Sequence, residues 1–510
     1  MKTLILLLIA LLAARTAAAA PRIDTGRLAG LRAAGVMAYL GVPYAAPPLG
    51  DLRWRPPQAP TSWKGVRAAT AFAPACPQTG VSMPGEATPA TSEDCLYLNV
   101  WAPRGARKAP VIVWIHGGGF TNGSTAMPVY DGAALARRGV LVVTLAYRLG
   151  PLGFLAHPEL TAESPQRTSG DYGLMDQVAA LAWVQRNIVA FGGDPSRVTL
   201  AGQSAGAMSV SILMASPPAR GLFQRAIGQS GGFFEPVELR ADYRLAGAER
   251  AGVAYGAARG ATSLAALRKL PVADLLGPGA TSVSHPVIAP GILPESPYDV
   301  FAAGQQAPVP TLVGSNANEA RAFTDARSVT AAGFARDVAA SFGALPPSIV
   351  DAYPFKTDAE ARTARLALET DLRFAWDMWA WAGTQVAAGA PTFTYRFEQA
   401  PPFPESSPYA GWGPAHFTEL WYMFDHLDQE PWAWTVGDRR LADVMAGYWV
   451  NFARTGDPNG RGLPRWPAYR DGAGEVMVLR DPPAPGPVLR AEQLRAFDRT
   501  YGAFRSHRPR

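Results

Sequence analysis

Two near-copies, GQSAG at Gly202–Gly206 and GQSGG at Gly228–Gly232, both carry the Gly-x-Ser-x-Gly spacing of a serine held on a sharp turn between a strand and a helix. Their flanking residues separate them. RVTLAG (Arg197 to Gly202) reads as a short incoming strand, and AGAMSVSILMA (Ala205 to Ala215) as an outgoing helix that Pro217 and Pro218 end. A helix leaving at Ala205 would aim free backbone N–H groups toward the serine. The second copy has a plausible incoming strand, FQRAIG. Its exit, Gly231-Gly232-Phe233-Phe234-Glu235-Pro236, is a poor first helical turn. Ser204 is therefore the expected nucleophile and Ser230 the look-alike.

Upstream, VIVWI (Val111 to Ile115) reads as a buried strand and runs directly into HGGGF, His116 to Phe120. Three consecutive glycines let a backbone bend closely around a substrate oxygen and offer N–H donors with no side chain in the way. Further strand candidates are VLVVTLA (Val140 to Ala146), PTLVGS (Pro310 to Ser315) and TFTYRF (Thr392 to Phe397). DQVAALAWVQRNIVAF, Asp176 to Phe191, has helical apolar spacing. Strand-like and helix-like runs alternate, which predicts an α/β fold with a large, mostly parallel sheet covered by helices on both faces. The Ala-rich stretch from about Ala241 to Ile349 is helical in tendency and is expected to be an inserted cap. No linker or repeat divides the chain, so residues 21–510 are expected to form one catalytic domain.

A base for Ser204 must come from six histidines. His116 belongs to the glycine loop, His157 precedes the serine, and His507 lies in the tail RSHRPR. Of the remainder, His285 comes too early to leave a strand-borne acid ahead of it. His426 falls in or beyond a helix at Glu419 to Phe424, where a structural surface role suits it. His416, in GPAHFTELWYMF, sits in a loop and is the expected base. The acid should come just after a strand between Ser204 and His416. Glu319, in PTLVGSNANEARAF, fits, with Asp299, Asp325 and Glu419 as alternatives.

The chain has 510 residues, 48% hydrophobic and 17% charged, with a formal charge of +6. That is the composition of a globular protein with ample core. The basic residues are scattered and form no run of the kind that binds nucleic acid, and no nucleic-acid partner is expected. The N-terminus, MKTLILLLIALLAARTAAAAPRID, has a basic start, an apolar stretch from Leu4 to Ala14, and small residues before Pro21. Residues 1–20 read as a cleavable signal peptide rather than a membrane anchor, because the apolar stretch is well short of the roughly 20 residues a span needs. Secretion or a periplasmic location is expected, with no stable membrane anchor. The two cysteines, Cys76 and Cys95, fit export: a disulfide between them would close a loop worth about 3 kcal/mol in the chain-entropy picture. Two cysteines with no histidine nearby make no zinc shell, so no metal is expected. Nothing in the sequence sets an oligomeric state.

With these pieces in order, the chain resembles the type B carboxylesterase/lipase family, which includes bacterial para-nitrobenzyl esterases, liver-type carboxylesterases and cholinesterases. YLGVPYAAPPLGDLRWRPP, SEDCLYLNVW, HGGGF, AYRLGPLGFL, VTLAGQSAGA, GSNANEA, HFTELWYMF and YWVNFARTGDPN carry the likeness. The resemblance implies an α/β-hydrolase fold with helical cap insertions, and a triad of Ser204, Glu319 and His416. It implies an oxyanion hole made by the N–H groups of Gly118, Gly119 and Ala205, and it supports the Cys76–Cys95 disulfide. It makes Gln203, Ser230 and Glu419 supporting residues, with Ser230 buried near Glu419. Arg53 with Glu93, and Arg148 with Asp176, look like the family's structural ion pairs. The implied activity is hydrolysis of small carboxylic esters through an acyl-enzyme, with no cofactor. An interfacial lipase or polyester hydrolase, or a non-catalytic binding module, is the alternative. Two departures argue against choline esters. Gln203 stands where many relatives carry glutamate, and PQTGVSMPGEATPATSED between the cysteines lacks an aromatic residue for cation–π contact.

Overall fold

The computed structural model describes residues 20–33, 35–80, 89–343, 345–470 and 474–506. The expected signal peptide, apart from Ala20, lies outside these, as do His507 and the middle of the loop between the cysteines.

A 13-stranded sheet runs through the molecule. Its centre is parallel, with neighbours in the order Leu141–Leu145, Ala109–Ile115, Gly193–Gln203, Arg225–Gln229, Thr311–Asn316, Thr392–Phe397 and Glu475–Leu479. Antiparallel strands extend both margins. Tyr97–Pro103, Val36–Pro43, Gly26–Ala33 and Arg22–Ile23 continue one side, and Ala484–Pro487 the other. The central strands are near-continuous apolar runs because both faces are covered. Along Ala109–Ile115, Val111, Val113 and Ile115 enter one apolar core while Ile112 and Trp114 enter the other. That is the alternation a pleated strand imposes.

The expected strands appear with shifted ends. RVTLAG is the second half of Gly193–Gln203, and the expected helix is Tyr172–Asn187 followed by a tighter turn at Ile188–Phe191. Ala205–Ala215 is helical as read. It is buried on nearly every side, which its uniformly apolar sequence allows. The cap is not one insertion. The core strand Thr311–Asn316 interrupts the Ala-rich stretch. Helices such as Leu245–Ala257 and Pro297–Ala302 precede that strand, and Phe334–Phe342, Asp358–Thr370 and Trp376–Ala387 come after it.

Cys76 and Cys95 form a disulfide. Arg53 and Glu93 pair through two 2.6 Å contacts, and Arg148 and Asp176 through two at 2.8 Å, the second pair almost fully buried. Such two-pronged pairs fix geometry. Among the described residues, no helix is long and apolar enough to cross a membrane.

Chain order determines where a cleft forms. From Ala109–Ile115 the chain crosses to Leu141–Leu145 on one side, then to Gly193–Gln203 on the other. In open α/β sheets the crevice at the carboxyl ends of such strands takes ligands. HGGGF, Ser204 and the turn bearing Glu319 all lie just past such ends.

Candidate active site

Ser204 sits between Gln203, the last residue of its strand, and Ala205, the first of its helix, with φ 57° and ψ −127°. A non-glycine residue at positive φ costs of order 1–3 kcal/mol and persists only where its surroundings hold it. Here the surroundings are specific. The Ser204 amide donates to the Gln229 carbonyl at 2.9 Å, and its carbonyl accepts from Met208 N–H at 2.9 Å. The flanking glycines are needed for space: a Cβ at Gly206 would lie 2.1 Å from the Ile115 carbonyl oxygen, and one at Gly202 2.5 Å from Gly206.

The glycine loop abuts this elbow. A Cβ at Gly117 would lie 2.9 Å from the Ser204 Cβ. Gly118 and Gly119 both have positive φ, 108° and 59°, and a Cβ at Gly118 would run into the Asn122 carbonyl at 2.1 Å. The carbonyl of Gly118 receives the N–H groups of Thr121 and Asn122, which closes the bend. Among the described residues, no protein acceptor receives the amide protons of Gly118, Gly119 or Ala205. His116 is committed elsewhere, with its Nδ1 2.8 Å from the Gly117 carbonyl and its ring stacked on Tyr147 at 4.6 Å. Burial lowers its pKa to about 4, so it stays neutral at neutral pH.

Glu319 and His416 meet although 97 residues separate them. Both side chains are fully buried, and His416 Nδ1 lies 2.6 Å from Glu319 Oε2. The other Glu319 oxygen accepts from the Asn316 N–H at 2.6 Å. With Glu319 as a carboxylate, which only accepts, Nδ1 is the donor in this bond, and in a neutral imidazole Nε2 then carries the lone pair. Of the alternative acids, Asp325 pairs with exposed Arg327 and Glu419 binds Asn316 Nδ2 at 2.6 Å. Burial, and then the charge of Glu319, raise the Glu419 pKa to about 7.

Gln203 is fully buried, with its side-chain nitrogen 3.1 Å from His416 Nε2 and 3.5 Å from Nδ1. A donor on the Nε2 lone-pair axis would lie much farther from Nδ1 than from Nε2. The amide therefore sits over the ring and leaves that lone pair open. Aromatic rings fill the other approaches to His416: Phe374 stacks at 4.4 Å, Phe417 lies at 4.4 Å and half-exposed Phe323 at 5.1 Å.

Ser230 is buried, and its neighbour Gln229 donates through Nε2 to Glu419 at 3.2 Å. The Ser230 Oγ has no hydrogen-bond partner among the described residues. His426 is structural but not on the surface. It is buried, its Nε2 meets the Asp131 carbonyl, and burial lowers its pKa. Sequence alone does not single out Asn316, Gln229 or Phe374. Asn316 does carry a signal, since it ends the strand three residues before Glu319.

The model of the carboxylesterase family matches residues 18–497. The chain is 38% identical over 467 residues to the fumonisin B1 esterase of Sphingopyxis macrogoltabida, covering 87% of this chain and 83% of that protein. It is 36% identical over 471 residues to the para-nitrobenzyl esterase of Bacillus subtilis, covering 89% and 93%. To the liver carboxylesterase of Sus scrofa it is 34% identical over 499 residues, covering 87% and 85%. A solved structure of PNB esterase superimposes with a TM-score of 0.80 at 33% identity, covering 94% of this chain and 99% of the other. The family match across residues 18–497, with esterase relatives 34–38% identical over most of their length, makes the chain a carboxylic ester hydrolase of the carboxylesterase family.

Proposed function

We propose that Ser204 is the nucleophile, His416 its general base and Glu319 the group that holds the imidazole. The amides of Gly118, Gly119 and Ala205 would receive the oxyanion. In this reading His416 Nε2 takes the hydroxyl proton as Ser204 Oγ attacks an ester carbonyl. Charge developing on the carbonyl oxygen meets the three unengaged amides, and Glu319 stabilises the imidazolium. The imidazolium then protonates the departing alkoxide. Water activated by the same imidazole cleaves the acyl-enzyme, returning the acid and the free serine. The chemistry requires neither metal nor organic cofactor. The substrates are small carboxylic esters. Residues 1–20 are read as a signal peptide and 21–510 as one catalytic domain, secreted or periplasmic; the disulfide supports an oxidising compartment.

The observation that carries the reading is the fully buried 2.6 Å bond between Glu319 and His416 beside an elbow whose serine has positive φ. A panel of para-nitrophenyl and bulky-alcohol esters, assayed for the parent and for Glu319→Gln, tests it. Loss of kcat by about 10³-fold or more on every ester is expected, by the logic of a triad missing its orienting acid. Retention of the parent rate would contradict the assignment.

A further inference from the structure

One turn between the helices Asp358–Thr370 and Trp376–Ala387 widens into a π-helical turn over Asp371–Ala375. Such bulges are rare, and they turn the side chains beyond them around the helix axis. Here the widened turn carries Phe374, whose ring lies on His416 with centroids 4.4 Å apart and planes 24° apart. The bulge is pinned from below: buried Asp371 accepts two 2.6 Å bonds from Arg490 and one of 2.7 Å from the Tyr353 hydroxyl. Its leading edge also holds the acid's turn. The Thr370 Oγ accepts the Ala320 N–H at 3.2 Å, and Glu369 takes the Thr324 hydroxyl. Base and acid are thus braced from one helix junction.

We infer that Phe374 is a positioning residue for His416, held against the imidazole by this bulge. The inference rests on His416 being the base. The bond from Nδ1 to Glu319 anchors one edge of the ring, with the Gln203 amide over it and Phe417 and Phe323 set at steep angles to it. Phe374 is the near-parallel flat face that resists rocking of Nε2 away from the serine hydroxyl. Misplacing a reacting group by about 1 Å can cost 10²-fold in rate.

The test uses the full chain and para-nitrophenyl butyrate. Phe374→Leu keeps an apolar filler but removes the flat face, and Phe374→Tyr restores one. The expected result is a 10- to 100-fold fall in kcat for Phe374→Leu with KM within about twofold, and recovery to within about threefold in Phe374→Tyr. A KM rise with kcat unchanged would make Phe374 a wall of the substrate pocket and overturn the inference. So would equal losses in the Leu and Tyr variants, or a Leu variant at the parent rate. If Phe374→Leu fails to fold, Thr370→Val reads the same junction through the acid's turn. A several-fold loss of kcat at constant KM, recovered in Thr370→Ser, supports the inference; an unchanged kcat overturns it. Ser204→Ala separates the two readings. If it retains activity the catalytic assignment itself fails, whereas a dead Ser204→Ala beside an unaffected Phe374→Leu defeats only the bulge.

Discussion

The two Gly-Gln-Ser turns share more than their letters. Ser204 and Ser230 end adjacent parallel strands and both have positive φ, 57° and 53°. Each amide donates to the next strand over, Ser204 to the Gln229 carbonyl at 2.9 Å and Ser230 to the Gly314 carbonyl at 2.8 Å. The sharp backbone turn therefore does not distinguish them. The segment beyond the turn does. After Ser204 the chain enters an 11-residue helix whose first amides are unengaged, and the serine keeps some exposure. After Ser230 no helix starts, and the side chain is sealed from solvent with its hydroxyl unpartnered. The second turn serves the first as a support: a Cβ at Gly231 would lie 2.4 Å from the Ser204 carbonyl oxygen. A Gly-x-Ser-x-Gly match reports a strand end that bends sharply. A helix beyond the bend and access to it are what set Ser204 apart.

The largest expected contrast is catalytic. Ser204→Ala should lose about 10⁴-fold or more in kcat, while Ser230→Ala stays within about threefold of the parent. Equal losses would erase the distinction between the turns. Next come the glycines that let the turns pack together. Gly206→Ala and Gly231→Ala each force a methyl into backbone and should destabilise by about 1–3 kcal/mol or more, read by denaturant midpoint. Gly231→Ala should also lower kcat, because its clash falls on the Ser204 carbonyl. A Gly231→Ala protein of parental stability and rate would mean that the second turn supports nothing.

The third contrast is in pH. Glu419 touches Gln229 of the second turn and Asn316 at the end of the strand before Glu319, with its pKa raised to about 7 by burial and by Glu319. Below that pH it is neutral; above it, a second negative charge sits beside Glu319. The kcat/KM profile should carry a component near pH 7 that Glu419→Gln loses, so that the two profiles diverge above pH 7 while rates at pH 6 stay within about threefold of each other. A component that survives the substitution belongs to another group. The smallest effect is on stability. The Ser230 hydroxyl is buried without a partner, so Ser230→Ala should leave stability unchanged or raise it by up to about 1 kcal/mol. A clear loss of melting temperature would show that the hydroxyl has a partner after all.

Much of the proposed site is legible in the sequence because its parts are local. The glycine triplet, the helix after Ser204 and the proline–glycine loop before His416 each depend on a few neighbouring residues. The parallel strands are legible for the same reason, since burial on both faces writes an unbroken apolar run. The features that escaped depend on contacts between distant segments. Gln229 reaches Glu419 across 190 residues, and nothing local marks Gln229 as its partner. His426 is sealed against Asp131, 295 residues away, so its burial leaves no mark beside it. A π-turn changes the phase of a helix without changing its composition, so Phe374 reads as one more apolar residue. Marginal strands such as Gly26–Ala33, which carries two arginines and two glycines, lack the apolar run that marks the centre.

Of the two look-alike hydroxyls, only one should attack. The decisive measurement treats the folded protein with a serine-directed fluorophosphonate and maps the adduct by peptide mass spectrometry. One phosphonyl group per chain is expected, on Ser204, with inactivation proportional to labelling and no label in a Glu319→Gln, His416→Ala double variant over the same time. Label on Ser230, or full inactivation with Ser204 unmodified, would overturn the assignment of the nucleophile.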